Sequence, residues 1–321
     1  MPKGKRYAKR TRRRPAWVGV LALLVVAAAG ILRYLGVDWN TLLPAGAGAP
    51  AASQTAPEGT LQVYYFDVGQ ADSELICLPT GEHILIDAGT SSTQEELVRQ
   101  LRSLGAGTLD LVVATHPHAD HIGGMAAVLE ALTVEQIVMP VTSDSSTPTT
   151  QTYEALLDAI GEEGLTVTPA QAGEEIWNGG GASLQVLAPN AQSYGDLNDY
   201  SVVLRLAYGA DSFLFTGDAE ETSEEEMLSR GWTLNATVLK CGHHGSETST
   251  SQPFLDAVRP QYAVISCGVD NDYGHPDQVT LDRLEAAGAE VFRTDLQGTI
   301  VAFTEGSGVT MTALGKGVEA G

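Results

Sequence analysis

From Leu61 onward, short apolar runs alternate with polar turns and with longer stretches of helical period. LQVYYFDVG, SELICL and HILIDAG read as three short strands, and STQEELVRQLRSLG as an amphipathic helix with a Ser/Thr start and a glycine stop. LDLVVAT is a buried strand running straight into a histidine cluster. Next, IGGMAAVLEAL is helical, EQIVMP a strand, TYEALLDAIGEEG helical and LTVTP extended. The second half keeps this rhythm without an internal repeat. SLQVLAP, SVVLRLAYG and SFLFTGD predict antiparallel strands, followed by the acidic helix AEETSEEEMLSRG, the strand ATVLKCG and the helix SQPFLDAVRP. AVISCG, the helix DQVTLDRLEAAG, EVFRT, TIVAF and VTMTAL complete it. The pattern predicts an α/β (α+β) class, stacked sheets covered by helices. Its apolar strand ends point at polar, glycine-bearing loops, where catalytic groups usually sit.

The N-terminal pattern is different. Ala16 to Leu32 are 17 uncharged, mostly apolar residues, near the lower limit of roughly 17–25 for a membrane-crossing helix. Residues 1–14 carry eight of the 18 Lys+Arg of the chain and no acid, which places that end on the cytoplasmic side and the remainder outside. The predicted organisation is a basic tail (1–15), a transmembrane helix or signal anchor (16–35), an Ala/Pro/Gly-rich flexible linker (36–59) and one domain (60–316). Cleavage at Ala27-Ala28-Ala29-Gly30 and secretion is the alternative. Past residue 14 only ten basic residues face 40 acidic ones, a formal charge of −30. A domain gripping duplex DNA usually shows a basic patch, so tight duplex binding is not expected. Cys77, Cys241 and Cys267 are odd in number and lack paired metal spacing, which predicts buried small hydrophobes rather than a disulfide framework.

Six of the seven histidines fall at predicted strand ends. In THPHADHIGG, His116 and His118 are two apart on an extended segment and project to one face. Asp120 and His121 are adjacent and point differently, which suits a second cation. Imidazoles with a few carboxylates suit Zn(II), with Mn(II) and Fe as the other candidates. Asp218 in LFTGDAE, one of His243 and His244 in LKCGHHGS, and His275 in DYGHP end further strands, although GD alone is an ordinary turn. Asp67 and Asp87 are either turn aspartates or carboxylates behind the metal-binding histidines.

Taken in order, FDVGQADS, LIDAGT, THPHADHIGG, LFTGD, LKCGHHGS and YGHP resemble the motifs of metallo-β-lactamase-fold hydrolases, most closely the ComEC/Rec2-type branch. The resemblance spans about Leu61 to Leu314. It implies a four-layer αββα sandwich with two divalent metals at one edge. His116, His118, Asp120, His121 and Asp218 match its metal positions, and His243 or His244 its last ligand. Many hydrolases of this fold place another histidine before the strand SVVLRLAYG. Here the loop reads YGDLNDYS, leaving Asn198 and Asp199 as substitute ligands. His118 stands where ComEC-like proteins often have Asp, and the many membrane spans of a DNA channel are absent.

The leading functional expectation is a membrane-anchored extracellular phosphodiesterase or nuclease-type hydrolase. A metal-activated hydroxide would attack, Asp120 would orient it, and His275 or His244 would steady charge or protonate the leaving oxygen. Its substrate would be a small phosphodiester or a nucleic-acid end. A lactone, thioester or β-lactam hydrolase on the same fold is the second expectation. A non-catalytic surface binding module is the third.

Overall fold

A computed structural model describes residues 59–143 and 145–317. The tail, anchor and most of the linker expected before residue 59 lie outside the described residues. Among the described residues no helix is long and apolar enough to cross a membrane.

The first half supplies β1 (Leu61–Tyr65), β2 (Glu74–Cys77), β3 (His83–Ile86), β4 (Thr108–Leu109), β5 (Leu111–Val113), β6 (Thr133–Val134), β7 (Ile137–Met139) and β8 (Val167–Pro169). Its helices are α1 (Gln94–Ser103), α2 (Ala119–Ile122), α3 (Met125–Ala131) and α4 (Gln151–Glu162). The second half supplies β9 (Glu175–Gly179), β10 (Ala182–Ala188), β11 (Val203–Tyr208), β12 (Asp211–Phe215), β13 (Val238–Lys240), β14 (Tyr262–Ile265), β15 (Glu290–Arg293), β16 (Ile300–Thr304) and β17 (Val309–Ala313). Its helices are α5 (Glu221–Arg230), α6 (Gln252–Val258), α7 (Gln278–Ala286) and α8 (Thr294–Gln297).

Two large sheets form, in the orders β17-β16-β1-β2-β3-β5-β7-β8 and β15-β14-β13-β12-β11-β10-β9, and β4 pairs with β6 in a small third one. Alternation along each strand decides which layer a side chain enters. Leu61, Val63 and Tyr65 of β1 meet Phe213 and Phe215 of β12 in the core between the sheets. Tyr64 and Phe66 face the other way, into a core with Leu97 and Leu101 of α1 and Val128 of α3. Leu214 of β12 likewise turns outward to Met227 of α5 and Phe254 of α6. Three cores between four layers make the αββα sandwich.

Two expected elements divide. LDLVVAT splits into β4 and β5 because Asp110 takes the His83 N–H with its carboxylate at 2.8 Å and returns its own N–H to His83 O. The helix expected from Ile122 begins earlier, at Ala119, and breaks at Gly123–Gly124 into α2 and α3. A Cβ on Gly124 would lie 2.3 Å from Ala88 O, so only glycine lets this helix pack so close to the turn after β3. β9 went unread because EIWNG is an edge strand without a buried face.

Strand polarity gathers the chemistry. β1, β3, β5, β7 and β8 share one direction in the first sheet, and β12 to β15 share one in the second. The turns after β1, β3, β5, β12, β13 and β14, with the turn before antiparallel β11, carry every candidate residue to one edge.

Candidate metal centre

Four predicted ligands converge there. Asp120, His121, Asp218 and His244 each offer one atom to a set lying within 4.8 Å of one another. His244 Nε2 stands 3.2 Å from Asp120 Oδ2 and 3.7 Å from Asp218 Oδ2, and His121 Nε2 3.2 Å from Asp218 Oδ2. Three of the four are buried, and only Asp120 is partly exposed. His121 Nε2 and Asp218 Oδ1 are buried with no hydrogen-bond partner. Buried polar atoms without partners are costly, and a cation shared between them satisfies both. The donor set, neutral imidazole nitrogen with carboxylate oxygen, suits zinc.

The far nitrogens of these rings are held from behind, fixing which nitrogen faces the cluster. Asp87 Oδ2 lies 2.7 Å from His121 Nδ1 and accepts from Thr115 Oγ1 at 2.6 Å, while Asp87 Oδ1 accepts the Thr115 N–H at 2.8 Å. Asp87 holds a left-handed backbone (φ 55°) that directs its carboxylate inward. His244 Nδ1 lies 3.0 Å from Ser266 O and 3.4 Å from Asp72 Oδ1. The Asp218 N–H donates to Ser201 Oγ at 3.0 Å, and the same hydroxyl is 3.3 Å from His116 Nδ1.

His116 and His118 form a second group beside the first, with His116 Nε2 3.0 Å from His118 Nδ1 and 3.8 Å from Asp218 Oδ2. Asp218 thus stands between the two groups. His243 Nε2 lies 3.9 Å from Asp218 Oδ2, while its Nδ1 is 3.0 Å from Glu220 Oε1. His243 and His244 both adopt left-handed backbone (φ 47° and 54°), which sends one ring into the cluster and the other toward Glu220. His275 packs edge-on to His243, with ring centroids 5.4 Å apart. A cavity of about 280 Å³ opens over the cluster, bordered by Gln70, His118, Asn198, His243, Tyr273 and His275.

Burial and neighbouring charge shift the titrations. His116 is held well below the usual imidazole range by burial and the adjacent His121. Burial opposes charge on His244, yet Asp218 and Asp72 outweigh it and push the ring up to about 10. Asp218 is buried too, but His121 and His244 hold its carboxyl well below the usual range.

Three sequence expectations change. Asp67 is not behind a ligand: its Oδ2 takes Lys316 Nζ at 2.7 Å, because it precedes the turn that Asp72 follows. Asp199, expected as a substitute ligand, has one carboxylate oxygen taken up by backbone N–H groups. Its Oδ1 accepts the N–H groups of Glu220 and Ser223 at 3.2 and 3.3 Å, satisfying the start of α5. His244 is not placed to hand a proton to a leaving group, since it is buried with both nitrogens engaged. Asn198 does border the cavity, donating Nδ2–H to Glu220 Oε1 at 3.2 Å and leaving Oδ1 unpartnered.

The profile of the metallo-beta-lactamase superfamily matches residues 66–269. The chain belongs to that superfamily. It carries the fold and donor set of a metal-dependent hydrolase. Among relatives, competence protein ComA of Neisseria gonorrhoeae is 34% identical over 286 residues, covering 87% of this chain and 38% of that protein. ComE operon protein 3 of Bacillus subtilis is 33% identical, with 74% of this chain and 32% of that protein covered. Recombination protein 2 of Haemophilus influenzae is 33% identical, with 75% and 28% covered. The chain spans about a third of the length of these relatives.

Sequence reasoning missed Asp72, Lys240, Ser201 and Glu220. One signal was present for Lys240: a lysine inside the buried strand VLK demands a carboxylate partner.

Proposed function

We propose that this metallo-beta-lactamase-superfamily chain hydrolyses phosphodiesters at the cluster of Asp120, His121, Asp218 and His244. The observation that carries the reading is the convergence of these four donors with two buried, unpartnered atoms among them. These four would hold one divalent ion, and His116 and His118, with Asp218 shared, a second. Zinc fits the donors best. Bound there, such ions supply Lewis acidity, a nucleophilic water at neutral pH and neutralising charge on phosphoryl oxygens.

The residues of the chain do the rest. Asp87, Ser266 and Asp72 fix the ring orientations before substrate arrives, so no reorganisation is needed during reaction. Asp120, partly exposed on the cavity side, orients the attacking water. His243, braced by Glu220 at 3.0 Å and with His275 beside it, would protonate the departing oxygen. The relatives named for competence and recombination favour a nucleic-acid-derived substrate. The formal charge of −30 beyond residue 14 favours a small diester or a strand end over a long duplex. The test is turnover of bis-p-nitrophenyl phosphate, nitrocefin and a lactone by wild type and His116→Ala. Diester turnover lost in the variant supports the reading, and unchanged turnover overturns it.

Residues 16–35 are proposed to anchor the domain outside the membrane, on the apolar run and the basic residues before it. Protease added to intact cells removes the domain under this reading and spares it if the domain faces inward.

A further inference from the structure

The rim of the cavity carries an aromatic ring that hydrolysis itself does not require. Tyr273 borders the cavity, yet it is 72% exposed. Its ring lies nearly parallel to the His275 imidazole, 24° between planes and 5.7 Å between centroids. One face is therefore backed, and the exposure leaves the other open beside the cluster.

The loop holding Tyr273 is closed on itself. Asn271 Nδ2 donates to Gly268 O at 3.0 Å and to His275 O at 2.6 Å, and the His275 N–H returns to Asn271 Oδ1 at 3.0 Å. The Gly268 N–H donates to Gln70 Oε1 at 2.9 Å, tying the loop to the turn after β1. A ring held this way loses little freedom when a ligand covers it.

Charge narrows the ligand. The segment GVDNDYGHPDQ holds three aspartates and no lysine or arginine, so it brings no fixed positive charge to a phosphate. A flat, neutral, polarisable group gains from an aromatic face without needing positive charge. In a diester substrate that group is a base.

We infer that Tyr273, backed by His275, is a stacking platform for a nucleobase next to the phosphodiester held at the cluster. This rests on the phosphodiester reading and names its substrate class as nucleoside phosphodiesters.

The experiment compares kcat/KM for thymidine 5′-p-nitrophenyl phosphate, methyl p-nitrophenyl phosphate and p-nitrophenyl phosphorylcholine, which share one leaving group. It uses the full chain as wild type, Tyr273→Ala and Tyr273→Phe. The expected result is a thymidine-to-methyl ratio about tenfold lower in Tyr273→Ala, the ~1.4 kcal/mol that tenfold represents, with Tyr273→Phe within about twofold of wild type. A ratio unchanged in Tyr273→Ala overturns the platform while leaving the phosphodiester reading intact. Equal loss in Tyr273→Phe assigns the hydroxyl rather than the ring and also overturns it. Loss confined to the choline ester assigns a cation site and does the same. Wild type inactive on all three esters removes the phosphodiester reading and the platform with it.

Discussion

Lys240 Nζ lies 2.5 Å from Asp72 Oδ2, and both side chains are about 1% exposed. The pair sits directly behind the cluster, because Asp72 Oδ1 is 3.4 Å from His244 Nδ1. Burial raises the Asp72 carboxyl, but Lys240 and His244 outweigh it and hold it below the usual range. Removing one partner strands the other charge. Lys240→Met is expected to destabilise the protein by about 3–5 kcal/mol. Lys240→Met with Asp72→Asn recovers part of that loss. Urea unfolding of wild type and these two variants checks both statements.

Asp87 fixes His121 without touching the cavity. Asp87→Ala is expected to weaken metal binding by roughly 10–100-fold, the usual cost of losing a carboxylate behind a ligating histidine. Competition against a chromogenic chelator reads it, and wild-type affinity in the variant would show that Thr115 alone positions the ring.

Asp199 separates capping from ligation. If its carboxylate serves only α5, Asp199→Ala costs about 0.5–2 kcal/mol of stability and leaves metal stoichiometry at the wild-type value. A drop in bound metal with little loss of stability would reinstate it as a ligand.

The pH dependence of the metal-free chain follows from the raised histidines. His244 moves from 6.5 to about 10 on folding, and His121 moves up well above 6.5. His244 contributes stability that is full below pH 6.5 and lost as pH climbs toward 10, and His121 acts in the same direction. Cys77 and Cys241, pushed by burial from 9.0 to about 12, act in the same direction near pH 9 and above. Tyr200 opposes them, since its hydrogen bonds with Ser143 and Ser146 outweigh burial and lower its phenol to about 8. The metal-free protein is therefore expected to melt at a lower temperature at pH 9 than at pH 6.5. Zinc reverses the order, because ligation requires the rings deprotonated.

Much of this was legible in the chain, for physical reasons. His116 and His118 share a face because extended residues two apart must, and the layer order follows from strands that alternate or are apolar throughout. The choice between His243 and His244 was not legible, since it depends on two consecutive left-handed residues. Nor was Asp72 distinguishable from Asp67. Both lie in FDVGQADS, and only the tertiary pairings, Lys240 with one and Lys316 with the other, separate them. Asp199 reads as a substitute ligand from its place in the loop before β11, and a carboxylate there gives the same signal whether it caps a helix or binds a cation. The expected N-terminal anchor lies outside the described residues, so its reading stands on the apolar run and the basic residues before it.

The central claim is that Asp218 joins two groups of donors into one metal-binding hydrolytic centre. The most direct measurement is bound divalent metal per chain in purified wild type and Asp218→Ala, read by mass spectrometry of the elements after removal of loose metal. The account predicts about two ions per wild-type chain, from the two donor groups, and fewer than about one in the variant, with diester turnover lost alongside. Equal metal content in the two proteins, or none in either after reconstitution with zinc, manganese or iron, would contradict it.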